Sequence, residues 1–267
     1  LIETFCQQVI FQVNTQKSYE WNPAEYNVGN SFAYIISENY APLKRRIDNF
    51  YIKLKNVPAY YEAAKQNIKN PSNEYLQLAI DQNEGSLSIF ESDYVDSVKA
   101  LHYYPEHEDQ LLKRGKEAVA AIKSYIQFLK DYKNDTPRSF RLGSELYADK
   151  FNYEIQSQYS VQEIYAAAEK RKEYLHTEMY KLATQLWQKY FGNTPMPQNQ
   201  LSVIKMMIDT ISVQHVARAN FQTEIEKQLP ELTKFVREKN LLYLDPTKPL
   251  KVRKEPEYMA GVAGASM

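Results

Sequence analysis

Four histidines, His102, His107, His176 and His215, are the chain's candidates for metal ligation or proton transfer. Glu173 and His176 have the Glu-x-x-His spacing that puts both side chains on one helix face, as in di-iron carboxylate bundles. That chemistry needs a second Glu-x-x-His and two more glutamates from facing helices. The sequence holds no second Glu-x-x-His, so the pair reads as surface polar residues or a local hydrogen bond. The densest polar cluster joins His102 to Glu106, His107, Glu108 and Asp109. Its side chains splay around one helical turn, which fits a solvated acidic helix start better than a metal site, because carboxylates there meet the positive end of the helix dipole. His215 has no carboxylate at helical spacing before Glu224 and is expected as a partly buried core residue.

Patterns that would settle an activity outright are missing from the sequence. There is no His-Glu-x-x-His, the zinc-binding helix of many peptidases, and His107-Glu108 is the only His-Glu pair. Gly-x-Ser-x-Gly and the phosphate-binding loop are absent as well. Gly261 and Gly264, followed by Ala265, would let a backbone approach a ligand closely, and the same residues also make ordinary turns and bulges. Cys6 is the only cysteine, which excludes an intrachain disulfide and a cysteine-based zinc site.

Charge narrows the partners. Lys plus Arg and Asp plus Glu are 33 each, with no basic block, so the electrostatic footprint of a nucleic-acid binder is lacking. No apolar run approaches the roughly 18 residues of a membrane span. The sequence starts Leu-Ile-Glu-Thr, without Met, so any export or lipid-anchor segment is expected to have been removed. Tyrosine is abundant at 22 residues. Interleaved aromatics suit a carbohydrate or peptide groove, or the core and rim of amphipathic helices.

The elements that must position these groups read as helices, in keeping with only 7 glycines in 267 residues. Residues 1–16 form one helix with Ile2, Phe5, Val9 and Val13 on a face, and residues 19–30 a loop. Helical periodicity resumes over 32–70, broken near Pro42 and Pro58. Asn70-Pro71 restarts a helix that buries Leu76, Ile80, Leu87 and Phe90 and ends near His102. Pro105 opens the next, which runs through Ala118, Ile122, Tyr125 and Leu129 to about residue 133. Thr136-Pro137 opens a shorter one, to about residue 153.

The clearest helix spans 160–190. Ser160 and Glu163 make a capping box, and Ile164, Ala168, Leu175, Met179, Leu182, Leu186 and Tyr190 recur every three or four residues until Gly192-Asn193. At 1.5 Å per residue it is roughly 45 Å long. Helices over 198–211 and 212–239 complete the helical part. Prolines then punctuate the chain, and Leu250-Lys251-Val252-Arg253 has the character of a short strand. A strand with unpaired edges is unstable alone, so its partners are expected beyond Met267. The expected fold is mostly α: a multi-helix, bundle-like domain over 1–240 with short β-strands at the C-terminal end, where 241–267 begin a truncated α+β domain.

Three stretches resemble the bacterial domain-of-unknown-function 885 family, whose members are similar to zincin-type zinc metallopeptidases and are often exported or lipid-anchored. Ala41-Pro42-Leu43 with Arg45-Arg46, Val57-Pro58-Ala59-Tyr60 and Asn67-Ile68 look like its helical N-terminal region. Arg141-Leu142-Gly143-Ser144-Glu145-Leu146-Tyr147, Ser160-Val161-Gln162-Glu163-Ile164 and Glu178-Met179 look like its central helices. Pro249-Leu250-Lys251-Val252-Arg253-Lys254-Glu255-Pro256-Glu257-Tyr258-Met259, with Gly261 and Gly264-Ala265-Ser266, looks like the approach to its catalytic half.

The resemblance implies that this chain is the helical, non-catalytic half of a zinc-dependent peptidase-like hydrolase and forms a wall of the substrate cleft. The family's His-Glu-x-x-Pro-Gly-His-type segment has no counterpart here, so no ligand or catalytic glutamate is assigned and zinc is expected in a missing C-terminal half. The implied partners are that half and a peptide substrate, with no nucleic acid and no transmembrane segment. Residues 251–254 or 262–267 would be strands lining up the substrate, with Arg253, Ala265 and Ser266 as substrate-binding candidates and Arg253 meeting a substrate carboxylate. A sheet strand whose surface arginine sits in an ion pair fits the same residues. The implied location is the periplasm or a lipid anchor, with the cytoplasm left open. Rival readings are a helical cell-envelope binding or scaffold protein, a di-metal bundle with Glu173 and His176 facing inward, and a scaffold that has lost its metal motif.

Overall fold

Aromatic rings stack at the centre of the first part of the chain, and the helices are arranged around them. A computed structural model describes residues 2–252. The chain divides into two units, one up to Glu154 and one from Ile155.

In the first unit, α1 (Ile2–Phe11) runs into a π-helical turn, Gln12–Gln16, and α2 (Ser18–Trp21) and a 3-10 turn, Pro23–Glu25, follow. Then come α3 (Gly29–Ser37), α4 (Leu43–Leu54), α5 (Val57–Asn67) and α6 (Asn73–Ser88), the last continuing through a π turn, Ile89–Asp93, into α7 (Tyr94–Ala100). The predicted loop over 19–30 is therefore largely short helical turns, because Asn22 caps the 3-10 turn by accepting from the Ala24 N–H at 3.2 Å. The last long element of the core, α8 (Pro105–Lys130), buries Leu111, Gly115, Ala118, Ile122, Tyr125 and Leu129. These lie alternately four and three residues apart, a single stripe on the helix, and it packs against α4, α5, α6 and α7. α9 (Ser144–Ile155) buries no side chain.

The core is rich in rings. Phe50 stacks on Tyr94 with centroids 4.4 Å apart, and Phe32 meets Phe50 edge-on at 4.6 Å. Three tyrosines reach polar partners from inside it: Tyr61 donates to Asn83 Oδ1 at 2.6 Å, Tyr94 to the Leu111 carbonyl at 3.2 Å and Tyr125 to the Pro23 carbonyl at 3.0 Å. Each phenol is thus buried without an unsatisfied hydroxyl. Arg46 is buried with no carboxylate partner among the described residues. Its guanidinium instead donates to the carbonyls of Ile35, Ile36 and Ala41 and to Asn39 Oδ1, closing the C-terminal end of α3.

The second unit holds α10 (Val161–Phe191), α11 (Gln200–Ser212) and α12 (Phe221–Glu238). The capping box forms as expected: the Ser160 N–H donates to Glu163 Oε2 at 2.8 Å, and the Glu163 N–H to Ser160 Oγ at 3.2 Å. The Ser160 hydroxyl also donates to Glu163 Oε2, at 2.8 Å, and the two bonds to that oxygen hold the Glu163 carboxyl below its ordinary pKa, the backbone N–H foremost. The buried face differs from the expected one. α11 packs on Ala183 and Trp187, with Val203 and Met207 opposite, while Ile164, Leu175, Met179 and Leu182 stay exposed. The spacing marks a helix correctly but does not reveal which of two adjacent stripes its neighbour covers.

Three further expectations are corrected. Residues 136–143 are not helical; Gly143 has φ 84° and α9 begins after it. The helix expected from Ser212 begins only at Phe221, after a 3-10 turn, Arg218–Asn220. The expected short C-terminal strands are not seen among the described residues, where Leu250, Lys251 and Val252 are irregular, as a run lacking a partner must be. Residues 253–254 and 262–267, where the rest of that expectation falls, lie outside the described residues.

Candidate functional site

The segment joining α8 to α9 is tied onto the start of α6. Asn134 Nδ2 donates to Asn70 Oδ1 at 2.8 Å and to the Pro71 carbonyl at 3.0 Å, and the Asn70 N–H donates to the Tyr132 hydroxyl at 3.2 Å. These bonds fix where residues 137–141 run.

Arg138 follows from that anchoring. Its guanidinium carbon lies 4.0 Å from the centre of the Trp21 ring, a cation–π contact. Trp21 is itself held by its indole N–H, which donates to the Gln16 carbonyl at 2.9 Å, and by Tyr75, 5.7 Å away. Arg138 Nε donates to the Ser139 carbonyl at 3.2 Å. Arg141 is exposed on the same segment, and its backbone N–H donates to Ser139 Oγ at 3.1 Å.

Between this segment and the start of α6 lies an open cleft of about 470 Å³, lined by Asn73, Glu74, Pro137, Arg138, Ser139, Phe140 and Arg141. Among the described residues neither arginine forms an ion pair. Partial burial pushes the Arg138 guanidinium below its ordinary pKa. A second cleft, of about 400 Å³, lies beside the π-helical turn and includes Gln16, Tyr19, Glu25, Lys150 and Glu154. Lys150 and Glu154 pair there at 2.6 Å, and the buried Gln16 Oε1 has no donor among the described residues. Neither cleft is the tyrosine-lined groove that an aromatic binding surface would require.

The groups singled out from the sequence are scattered. Glu173 is exposed on α10 and His176 is half-buried. Glu106, His107 and Asp109 are exposed at the start of α8, as a solvated acidic turn should be, and the His107 ring sits edge-on to Tyr103 at 4.8 Å. His215 is exposed rather than in the core, and its Nδ1 lies 3.0 Å from the Val216 carbonyl oxygen. It falls in the non-helical stretch before α12, so the helical spacing used to bury it does not apply. Among the described residues no three His, Cys, Asp or Glu side chains are placed to hold a metal ion, and Glu173 does not face inward, which removes the di-metal bundle. Arg253, Ala265 and Ser266 lie outside the described residues.

Arg138 was missed in the sequence. Thr136-Pro137 signals a helix start, and nothing local shows that the next residue stacks on a tryptophan 117 positions earlier (138 − 21).

The family of bacterial proteins of unknown function, DUF885, matches residues 3–267. Among solved structures the chain is similar to one described as "a putative lipoprotein of unknown function from Shewanella oneidensis", at 38% identity and a TM-score of 0.74. The match covers 96% of this chain and 47% of that one, so this chain spans about half the length of its solved neighbour. No curated protein matches it. With all but its first two residues matched, the chain belongs to the DUF885 family of bacterial proteins of unknown function.

Proposed function

We propose that the chain is the non-catalytic helical half of a zinc-dependent metallopeptidase-like hydrolase, forming one wall of its substrate cleft. One observation carries this reading: the second unit is too thinly covered to stand on its own core. Its buried apolar residues among those described are Ala183, Trp187, Val203, Ile204 and Met207. α10, 31 residues long, buries only two side chains and α12 buries none. Leu182 and Phe235 keep 54% and 51% of their surface exposed. Burying such side chains is worth about 1.5–3 kcal/mol each, and a helix with little packing is marginal in water. The longer chain of the Shewanella protein supports a further half as the cover.

The resemblance assigns zinc-assisted attack of water on a scissile carbonyl to that further half. No set of described residues fits the metal, so no step is derived through this chain, whose contribution is shape and packing. Arg253, Ala265 and Ser266 would stand at the cleft edge, Arg253 meeting a substrate carboxylate. We place the protein in the cell envelope as a lipoprotein. Its neighbour's description supports that location, and no helix among the described residues is long and apolar enough to cross a membrane.

The second reading is an envelope binding protein without catalysis. It is favoured by the exposed pair Tyr34 and Tyr40, stacked at 5.6 Å with planes 14° apart, a flat face able to hold a sugar ring or peptide. Metal analysis and peptide hydrolysis on the full-length protein separate the two. The hydrolase reading expects about one zinc per chain and chelator-sensitive cleavage, with neither in residues 1–267 alone. A metal-free, inert full-length protein would overturn it.

A further inference from the structure

We infer that the cleft between the start of α6 and residues 137–141 binds a small ligand through a carboxylate, with Arg138 and Arg141 as its cationic partners. The inference does not depend on the zinc reading.

Arg138 is set up for recognition before any ligand arrives. Stacking on Trp21 and the Nε bond to Ser139 fix its plane, and its two terminal nitrogens have no acceptor among the described residues. A guanidinium orders at a cost in side-chain entropy, which here has already been met by the protein fold. Its partial burial lacks a compensating carboxylate, the situation that an incoming anion relieves. By contrast, the buried Arg46 spends its donors on four protein acceptors.

Charge selects the ligand class. Arg138 and Arg141 contribute two positive charges and Glu74 one negative, leaving a net charge of one (2 − 1) beside the first turn of α6. A singly charged, planar carboxylate matches that balance and the fork of the guanidinium. A doubly charged phosphate would meet Glu74 with more repulsion. Phe140 and Pro137 give the cleft an apolar side, so the ligand should carry an apolar group next to its carboxylate. The C-terminal end of a peptide has this form.

The test is calorimetric titration of the protein with N-acetyl-phenylalanine, its C-terminal amide and inorganic phosphate. The acid is expected to bind at least about tenfold more tightly than the amide, as loss of a charge-assisted contact implies. It should also bind more tightly than phosphate. R138Q and R141Q should each weaken the acid about tenfold, while R45Q, an exposed arginine on α4, leaves it unchanged. Circular dichroism checks that R138Q folds. If it does not, R141Q decides, since that side chain is exposed, with its guanidinium carbon 5.4 Å from the centre of the Phe140 ring. Equal binding of acid and amide, no binding of either, or equal effects of R141Q and R45Q would overturn the site. Tighter binding of phosphate would overturn the carboxylate assignment.

Discussion

Gly115 on α8 lies so close to Tyr94 that a β-carbon added to it would stand 3.0 Å from Cε1 and 3.2 Å from Cδ1 of the ring. The ring has little room to yield, being stacked on Phe50 at 4.4 Å and tied by its hydroxyl to the Leu111 carbonyl at 3.2 Å. Gly115→Ala therefore sets a helix-propensity gain of about 1 kcal/mol against an overpacking cost of about 1–3 kcal/mol. We expect a net loss of stability, seen as a lower urea midpoint with an unchanged slope. A higher midpoint would show that the ring moves freely.

Arg46 closes α3 through three carbonyls and Asn39. Arg46→Met keeps the apolar stem but strands those acceptors in the interior, at about 2–4 kcal/mol. Arg46→Lys should recover only part of this, because one ammonium cannot span the fork. A loss below about 0.5 kcal/mol in chemical denaturation would mean that water serves these carbonyls instead.

Tyr61, Tyr94 and Tyr125 are all pushed well above the ordinary phenol pKa, first of all by burial. A group whose folded pKa is raised contributes stability that is fully present below its unfolded pKa, about 10 for tyrosine, and is lost as pH climbs beyond it. This contribution should stay constant up to that range, and the protein should unfold on further alkalinisation. The tyrosinate absorbance of these three should appear in the same step as the loss of helical signal. Gradual ionisation while the helices persist would contradict the buried assignment.

Leu182 on α10 is exposed here, so Leu182→Lys should change the stability of residues 1–267 by less than about 0.5 kcal/mol. In the full-length protein the same change should cost about 2–5 kcal/mol, as a charge placed in a packed interface. Equal, small effects in both would leave α10 a solvent-facing helix.

How much of this was legible follows from where the partners lie in the chain. Ser160 and Glu163, three residues apart, announce the start of α10 without ambiguity, and the stripe of Ala118, Ile122, Tyr125 and Leu129 on α8 is visible as a period. On α6 and the turn after it the expected side does face the core, with Phe90 buried and Leu76, Ile80 and Leu87 half-buried against it, but the deepest positions of α6 are Ala79, Gln82, Asn83 and Ser86. Asn83 looks like a surface residue until Tyr61, 22 positions earlier, is seen donating to it at 2.6 Å. Hydrophobic spacing is blind to such a pairing. The same holds for Arg138 on Trp21, and for the choice between adjacent stripes on α10, which a neighbour decides and the helix itself does not.

The most direct test of the account is amide hydrogen exchange along α10, measured in residues 1–267 and in the full-length protein under the same conditions. The account predicts fast exchange over 161–180 in the shorter chain, where no side chain is buried, and strong protection of that segment once the further half is present. Equal exchange in both proteins would show that nothing packs on this helix and would contradict the proposal that the chain is one wall of a larger fold.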